Sequence, residues 1–173
     1  FDVMTSDALR DSRLGLRAVL FLLAAGLLTY HALFFNFLND DAFISFRYAD
    51  NLARHGQLVF NLGERVEGYT NFLWTVLMAG VIWLGQDPGL WSRVLGIGFA
   101  IGTLWVVMSF LAHTRGRRSY FDPIGAFLLA GAPAYACWST GGLETQLFTF
   151  MLTLGLTGYL RGRSGVPEAL PRS

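Results

Sequence analysis

Five stretches free of every Asp, Glu and Arg interrupt this chain, at residues 18–39, 68–86, 94–114, 123–143 and 145–160, and lysine is absent throughout. They run to 22, 19, 21, 21 and 16 residues. A helix needs roughly 20 apolar residues to cross about 30 Å of hydrocarbon, so this spacing leaves little room for anything except membrane-embedded helices. Composition agrees. Charged residues make up 14% of the chain and mean hydropathy is +0.44, whereas a soluble domain carries about 25% charged residues. The fold expected is an all-α membrane protein, with about four transmembrane helices plus amphipathic juxtamembrane helices. A net charge of +1 gives no basic field for nucleic acid, and the single cysteine, Cys137, excludes an internal disulfide.

Arginine placement decides which apolar stretches cross. Residues 1–17 carry Arg10, Arg13 and Arg17 ahead of a first span at 18–38, which is too long for a signal peptide and lacks a small-residue cleavage site. If 70–85 also crossed, the cluster Arg115, Arg117, Arg118 would fall outside. If it lies in the outer leaflet, all three arginine groups, with Arg161 and Arg163, share the cytoplasmic side. Trp74 and Trp83 near its ends suit an interfacial helix. The layout expected is a cytoplasmic segment 1–17, spans at 18–38, 89–112, 121–138 and 144–160, an outer loop 39–87, a second outer loop 139–145, and a tail 162–173. Pro88 suits a helix start, and Pro133 is expected to kink the third span near its outer end.

The chemistry concentrates in Asn39–Tyr69, the one long region both charged and aromatic. Asn39, Asp40 and Asp41 open a helix reading to about Arg54, with Gly56 as its stop. Simple capping by Asn39 or Asp40 accounts for the acids. A second reading puts Asp40 and Arg47, two turns apart, on one face with Ile44 and Tyr48, a carboxylate beside arginine suited to proton abstraction near an anionic substrate. Glu64, Arg65, Glu67 and Tyr69 either converge on that face or form a solvated loop. Glu144 is the one ionisable residue among the acids and arginines between Asp122 and Arg161, at a span's outer end, where a dipole-capping acid is equally ordinary. His31 reads as a packed histidine. No zinc-type spacing, phosphate loop or nucleophile elbow is present.

The run DDAFISFRYADNLARHGQLVFNLGERVEGYTNFLW resembles the first outer loop of polytopic GT-C glycosyltransferases, and STGGLETQLF resembles their second outer loop entering a span. The branch most alike includes mycobacterial arabinofuranosyltransferases, with protein mannosyltransferases and lipid A aminoarabinose transferases further off. The resemblance implies a bacterial inner-membrane protein with its N-terminus cytoplasmic and 39–87 extracytoplasmic. It also implies a polyprenyl-phosphate sugar donor, surrounding membrane lipids, and inverting transfer to an extracytoplasmic acceptor. Asp40 matches the general base and Asp41 its paired acid; Glu144 matches the second-loop acid near the reaction centre. Arg47 and Arg65 would hold the donor phosphate. Glu67 matches an acceptor-binding or metal-contacting carboxylate, and Tyr48 and Tyr69 complete the substrate-binding set. Cofactor use is unknown: a divalent metal is compatible with the chemistry but unsupported by spacing. These enzymes typically have eleven or more spans, so the competing expectation is a non-catalytic relative serving as a small subunit of a larger membrane complex.

Overall fold

The computed structural model describes residues 2–114 and 121–164, with side chains over 15–114 and 121–163. The arginine cluster Arg115, Arg117, Arg118 and most of the expected tail lie outside the described residues. Seven helices follow one another among the described residues: α1 (Asp2–Phe35), α2 (Asp40–His55), α3 (Phe72–Trp83), α4 (Pro88–Thr114), α5 (Ile124–Gly131), α6 (Pro133–Cys137) and α7 (Thr145–Ser164).

Two of them, over Gly15–Phe35 and Pro88–Thr114, are long and apolar enough to cross a membrane. Only 17% and 33% of their most apolar windows are buried inside the protein. A helix this apolar in a water-soluble protein would be its most buried element, whereas α1 turns Leu22, Leu23, Leu33 and Phe34 outward. Such surface is suited to hydrocarbon. α3 spans 12 residues, or about 18 Å, well short of a bilayer core.

Side-chain contacts give the helix directions. Phe21 on α1 meets Trp105 on α4 at 5.3 Å between ring centroids, and Asn36 just past α1 meets Arg93 near the start of α4 at 3.2 Å, so these helices are antiparallel. Arg17 pairs with Asp122 at 3.4 Å and His31 approaches the Ala130 carbonyl at 3.3 Å, so α1 and the α5–α6 segment run the same way. Phe99 meets Phe150 at 5.7 Å and Phe110 lies 6.0 Å from the Arg161 guanidinium, making α4 and α7 parallel. One end of the bundle therefore collects Arg17, Asp122, His113, Arg161 and Arg163. The other collects α2, the connection before α4 and residues 139–144. Both ends of α3 stay at this second end. Asn71 before it bonds Glu144, and Gln86 after it accepts from the Trp91 indole at 3.2 Å.

Alanines make the close packing possible. Ala24 and Leu28 of α1, Ala100 and Leu104 of α4, Ala126 and Ala130 of α5 and Ala136 of α6 form one buried cluster. A second joins Ala42, Phe46 and Ala49 of α2 to Trp74, Met78 and Ala79 of α3 and Leu147 of α7. A β-carbon on Gly96 would lie 2.3 Å from the Ser139 carbonyl oxygen, so α4 and the second loop touch backbone to side-chain-free backbone.

Two boundaries differ from expectation. α1 is continuous from Asp2, and it stops at Phe35 because Asn36 turns to φ 34°, the left-handed region that Asn tolerates. Residues 121–138 do not form one kinked helix. Ala132, held extended at ψ 114° as residues before proline are, separates an 8-residue from a 5-residue helix. The Leu129 carbonyl, which Pro133 cannot bond, takes the Ala132 N–H at 3.1 Å, and at the end of α6 the Tyr135 carbonyl accepts from Gln146 Nε2 at 2.8 Å and Ser139 Oγ at 3.0 Å. Of the two tryptophans in α3, Trp74 is 1% exposed and packed in the second core, while Trp83 is 76% exposed.

Candidate functional site

The site is built where α2, the start of α3 and the 139–144 loop meet. α2 begins because Asn39 accepts the Asp41 N–H at 3.2 Å through its side chain, and it ends at Gly56, φ 65°. The same Asn39 donates its backbone N–H to the Gly141 carbonyl at 3.0 Å, so the cap that starts the helix also fixes the second loop. The Trp74 indole donates to the Gly142 carbonyl at 2.9 Å. Gly142 sits at φ 82°, and a β-carbon there would lie 2.4 Å from Leu38 Cδ1 and 2.8 Å from Ala42 Cβ. Only glycine fits.

Asn71 joins the parts. Its amide has two N–H groups: Nδ2 donates to Glu144 Oε2 at 2.8 Å and to Ser45 Oγ at 2.9 Å. Its oxygen accepts the Thr75 hydroxyl at 3.1 Å. One side chain thus ties Glu144 to α2 and α3 and satisfies a half-buried carboxylate with a charge-assisted hydrogen bond. Asp40 and Asp41 occupy the exposed first turn of α2, beside Gly141 through Asn39. Helical spacing puts Asp41 on the face of Ser45, towards the Asn71–Glu144 pair, and Asp40 on the outward face of Ile44 and Arg47.

Tyr48 does not share that outward face. It is buried, its hydroxyl donates to the Val66 carbonyl at 2.9 Å, and its ring packs edge-on against Tyr69 at 5.0 Å. With Arg47 Nε on the Phe60 carbonyl at 3.1 Å, and Asn51 Nδ2 on those of Val59 and Phe60 at 2.8 and 2.9 Å, it clips the 57–70 loop onto α2. Glu64 is held locally by Asn61 at 3.0 Å.

Two clefts result. Arg65, Glu67 and Tyr69 line one of about 660 Å³, together with Gly56–Val59, Gly63 and Val66. Arg47 lines a different one of about 860 Å³, between α2 and the α3–α4 connection, together with Arg54 and Arg93. Arg47 and Arg65 are therefore not brought together on one ligand. Arg54 donates to Asp50 at 2.5 Å, and that hydrogen bond and the carboxylate's charge raise the guanidinium pKa, so Arg54 stays charged and paired with Asp50. Among the described residues no three His, Cys, Asp or Glu side chains are grouped to hold a metal. His31 packs against Phe35 at 5.3 Å.

Sequence reasoning missed Asn71, Ser45 and Arg93. An Asn ahead of an apolar helix reads as its cap, but Asn71 makes no capping bond because its side-chain oxygen, the capping acceptor, takes the Ser45 and Thr75 hydroxyls.

No family model and no solved structure matches the chain. Over 122 residues it is 33% identical to the terminal β-(1→2)-arabinofuranosyltransferase of Mycobacterium tuberculosis (strain ATCC 25618 / H37Rv). That stretch covers 66% of this chain and 20% of the relative, so the chain spans about one fifth of the length of the curated relative it matches. A distant relative of this helical, membrane-suited chain is thus a glycosyltransferase.

Proposed function

We propose that this chain carries the sugar-transfer site of a membrane glycosyltransferase that moves a sugar from a polyprenyl-phosphate donor to an extracytoplasmic acceptor. The observation that carries the reading is the joining of two separated acidic segments at one end of the bundle: Asp40–Asp41 is tied to Gly141 through Asn39, and Glu144 to Ser45 through Asn71. Similarity to an arabinofuranosyltransferase supports the reaction class.

The step is an inverting displacement. Asp40 takes the proton of an acceptor hydroxyl, and that oxygen forms a bond to the anomeric carbon. The bond from that carbon to the phosphate oxygen breaks, and the electron pair leaves with the lipid phosphate. Arg47, on the face of Asp40, offsets the charge on the leaving phosphate. Asp41 and Glu144 hold the reacting groups in place. The polar cleft of Arg65, Glu67 and Tyr69 takes the acceptor: a carboxylate, a guanidinium and an aromatic ring suit hydroxyl groups and a sugar face. Tyr48 shapes that cleft from beneath, bonding Val66 and packing on Tyr69.

The membrane layout proposed places Arg17, Arg161 and Arg163 in the cytoplasm and α2, α3 and the 139–144 loop outside, in a bacterial inner membrane. Four crossings use α1, α4, the paired α5–α6 and α7, with α3 in the outer leaflet. The grouping of these arginines at one end of the bundle supports it.

Asp40→Asn in the full-length protein tests the chemistry, because it keeps size and capping geometry while removing the base. Transfer from a synthetic polyprenyl-phosphate sugar should fall by 10²-fold or more. Near-normal turnover would exclude Asp40 as the base.

A further inference from the structure

Glu144 stands at the N-terminal edge of α7, where a carboxylate ordinarily takes an N–H of its own helix. Its backbone carbonyl does enter α7, accepting the Phe148 N–H at 2.8 Å. Its carboxylate bonds Asn71 instead, 73 residues back along the chain. Oε2 takes that bond at 2.8 Å, and Oε1 has no hydrogen-bond partner among the described residues.

The amide that holds Glu144 is itself held. Thr75, fully buried, and Ser45, 4% exposed, both bond Asn71, at 3.1 and 2.9 Å. Adhesion of α2 to α3 does not require them, because Ala42, Phe46, Ala49, Trp74, Met78 and Ala79 already close that seam. Polar groups in an apolar seam cost free energy unless they are bonded, and what a bonded set adds is one fixed geometry. In the first turn of α3 the Trp74 indole holds the Gly142 carbonyl at 2.9 Å, and the Asn39 N–H holds that of Gly141 at 3.0 Å. Gly141 and Gly142 have no side chains with which to anchor the loop, so these outside donors set where the following acid lies.

We infer that Asn71 is a positioning residue for sugar transfer: it fixes Glu144 by one carboxylate oxygen and leaves the other to take a hydroxyl of the reacting sugar. Trp74 supports it by holding the loop ahead of Glu144. The inference rests on the transfer reading for the reaction and not for the geometry. A glutamate side chain left free samples several rotamers, and a bond at one oxygen removes that freedom before the substrate arrives. Asn71 acts through Glu144 alone.

A double-mutant cycle in the full-length protein tests this, with transfer measured from a synthetic polyprenyl-phosphate sugar and rates taken per folded molecule. Asn71→Ala should lower kcat by about tenfold or more and leave the acceptor KM within about threefold. In a Glu144→Ala background the same substitution should cost less than about twofold, because the group it positions is gone. A purely structural role would lower transfer by equal factors in both backgrounds. Equal factors, or a parental kcat in Asn71→Ala, overturns the inference. Should Asn71→Ala not fold, Trp74→Phe, which keeps an aromatic ring but removes the indole N–H, goes through the same cycle and is judged by the same outcome. Asp40→Asn separates the two readings. Transfer lost in Asp40→Asn but normal in Glu144→Ala overturns the positioning role and leaves the transfer mechanism standing. Normal transfer in Asp40→Asn, with a loss in Glu144→Ala that Asn71→Ala does not deepen, removes Asp40 as the base while the Asn71–Glu144 pair stands.

Discussion

Replacing Asn71 by aspartate changes one NH₂ to an oxygen and nothing else in size. In the native chain that NH₂ stands 2.8 Å from Glu144 Oε2 and 2.9 Å from Ser45 Oγ. The substitution removes a charge-assisted hydrogen bond, worth about 1.5–3 kcal/mol. It also sets two carboxylates against each other, a repulsion of about 1 kcal/mol in water and about 4 kcal/mol at an effective dielectric of 20. Both residues are half-buried, so a value between these limits applies, and the combined loss is about 3–5 kcal/mol. For a domain of this size each kcal/mol moves Tm by about 2–4 °C, so unfolding followed by tryptophan fluorescence should drop on the order of 10 °C at pH 8. Trp74, buried beside Thr75, reports the same region. The sign with pH follows from linkage. The crowded pair in Asn71→Asp holds a proton more tightly folded than unfolded, so its deficit is present at high pH and shrinks as pH falls through the raised folded pKa. Asn71→Ala lacks the second carboxylate, and its smaller deficit should be flat over that range. An Asn71→Asp variant as stable as the parent at pH 8, with no pH-dependent gap from Asn71→Ala, would refute the linkage of Glu144 to Ser45 through this amide.

Three further outcomes are expected. Gly142→Ala should destabilise by about 2–5 kcal/mol, from the left-handed backbone and from crowding Leu38 and Ala42, visible in the same thermal assay. Asp122→Ala should cost about 3–5 kcal/mol by leaving the Arg17 guanidinium, 11% exposed, without its 3.4 Å partner; Arg17→Ala combined with it should recover part of the loss. In a Cys137→Ala background, Thr70→Cys should react with a membrane-impermeant maleimide from outside the cell and His113→Cys should not; the reverse pattern would invert the proposed orientation.

How far the sequence could be read depended on whether local rules or distant partners set each feature. α2 was legible to within a residue because its cap, Asn39, and its stop, Gly56, act on backbone groups within a few positions. The expected helices at 89–112 and 144–160 correspond to Pro88–Thr114 and Thr145–Ser164 for a similar reason: continuous apolar runs flanked by proline, glycine or charge. Pro133 was visible, but whether a proline bends or breaks a helix depends on how the carbonyl it frees is bonded: here Leu129 O takes the Ala132 N–H in a tight turn with Ala132 extended, and the helix breaks. Tyr48 was assigned to the wrong face because seven residues is two turns from Asp41, not from Asp40. Asp40 and Glu144 were recognisable as acids at segment ends, while the groups that hold Glu144 are 73 residues away or on another helix. Spacing along one chain carries no trace of that pairing, and the division of Arg47 and Arg65 into separate clefts is likewise a property of how the 57–70 loop folds back on α2.

The interruption at Ala132–Pro133 bears on how the protein is made. If the proposed layout holds, a segment divided into helices of 8 and 5 residues, with end carbonyls that need donors, is poorly suited to enter lipid by itself. Its donors come from the loop after α6 and from α7, and its apolar partners Ala24, Leu28, Ala100 and Leu104 come from α1 and α4. Among the described residues those two helices are the ones long and apolar enough to cross a membrane. In the proposed four-crossing layout, insertion would therefore be ordered: α1 and α4 settle in the bilayer first, and the broken segment packs against them once Gln146 is available to bond it.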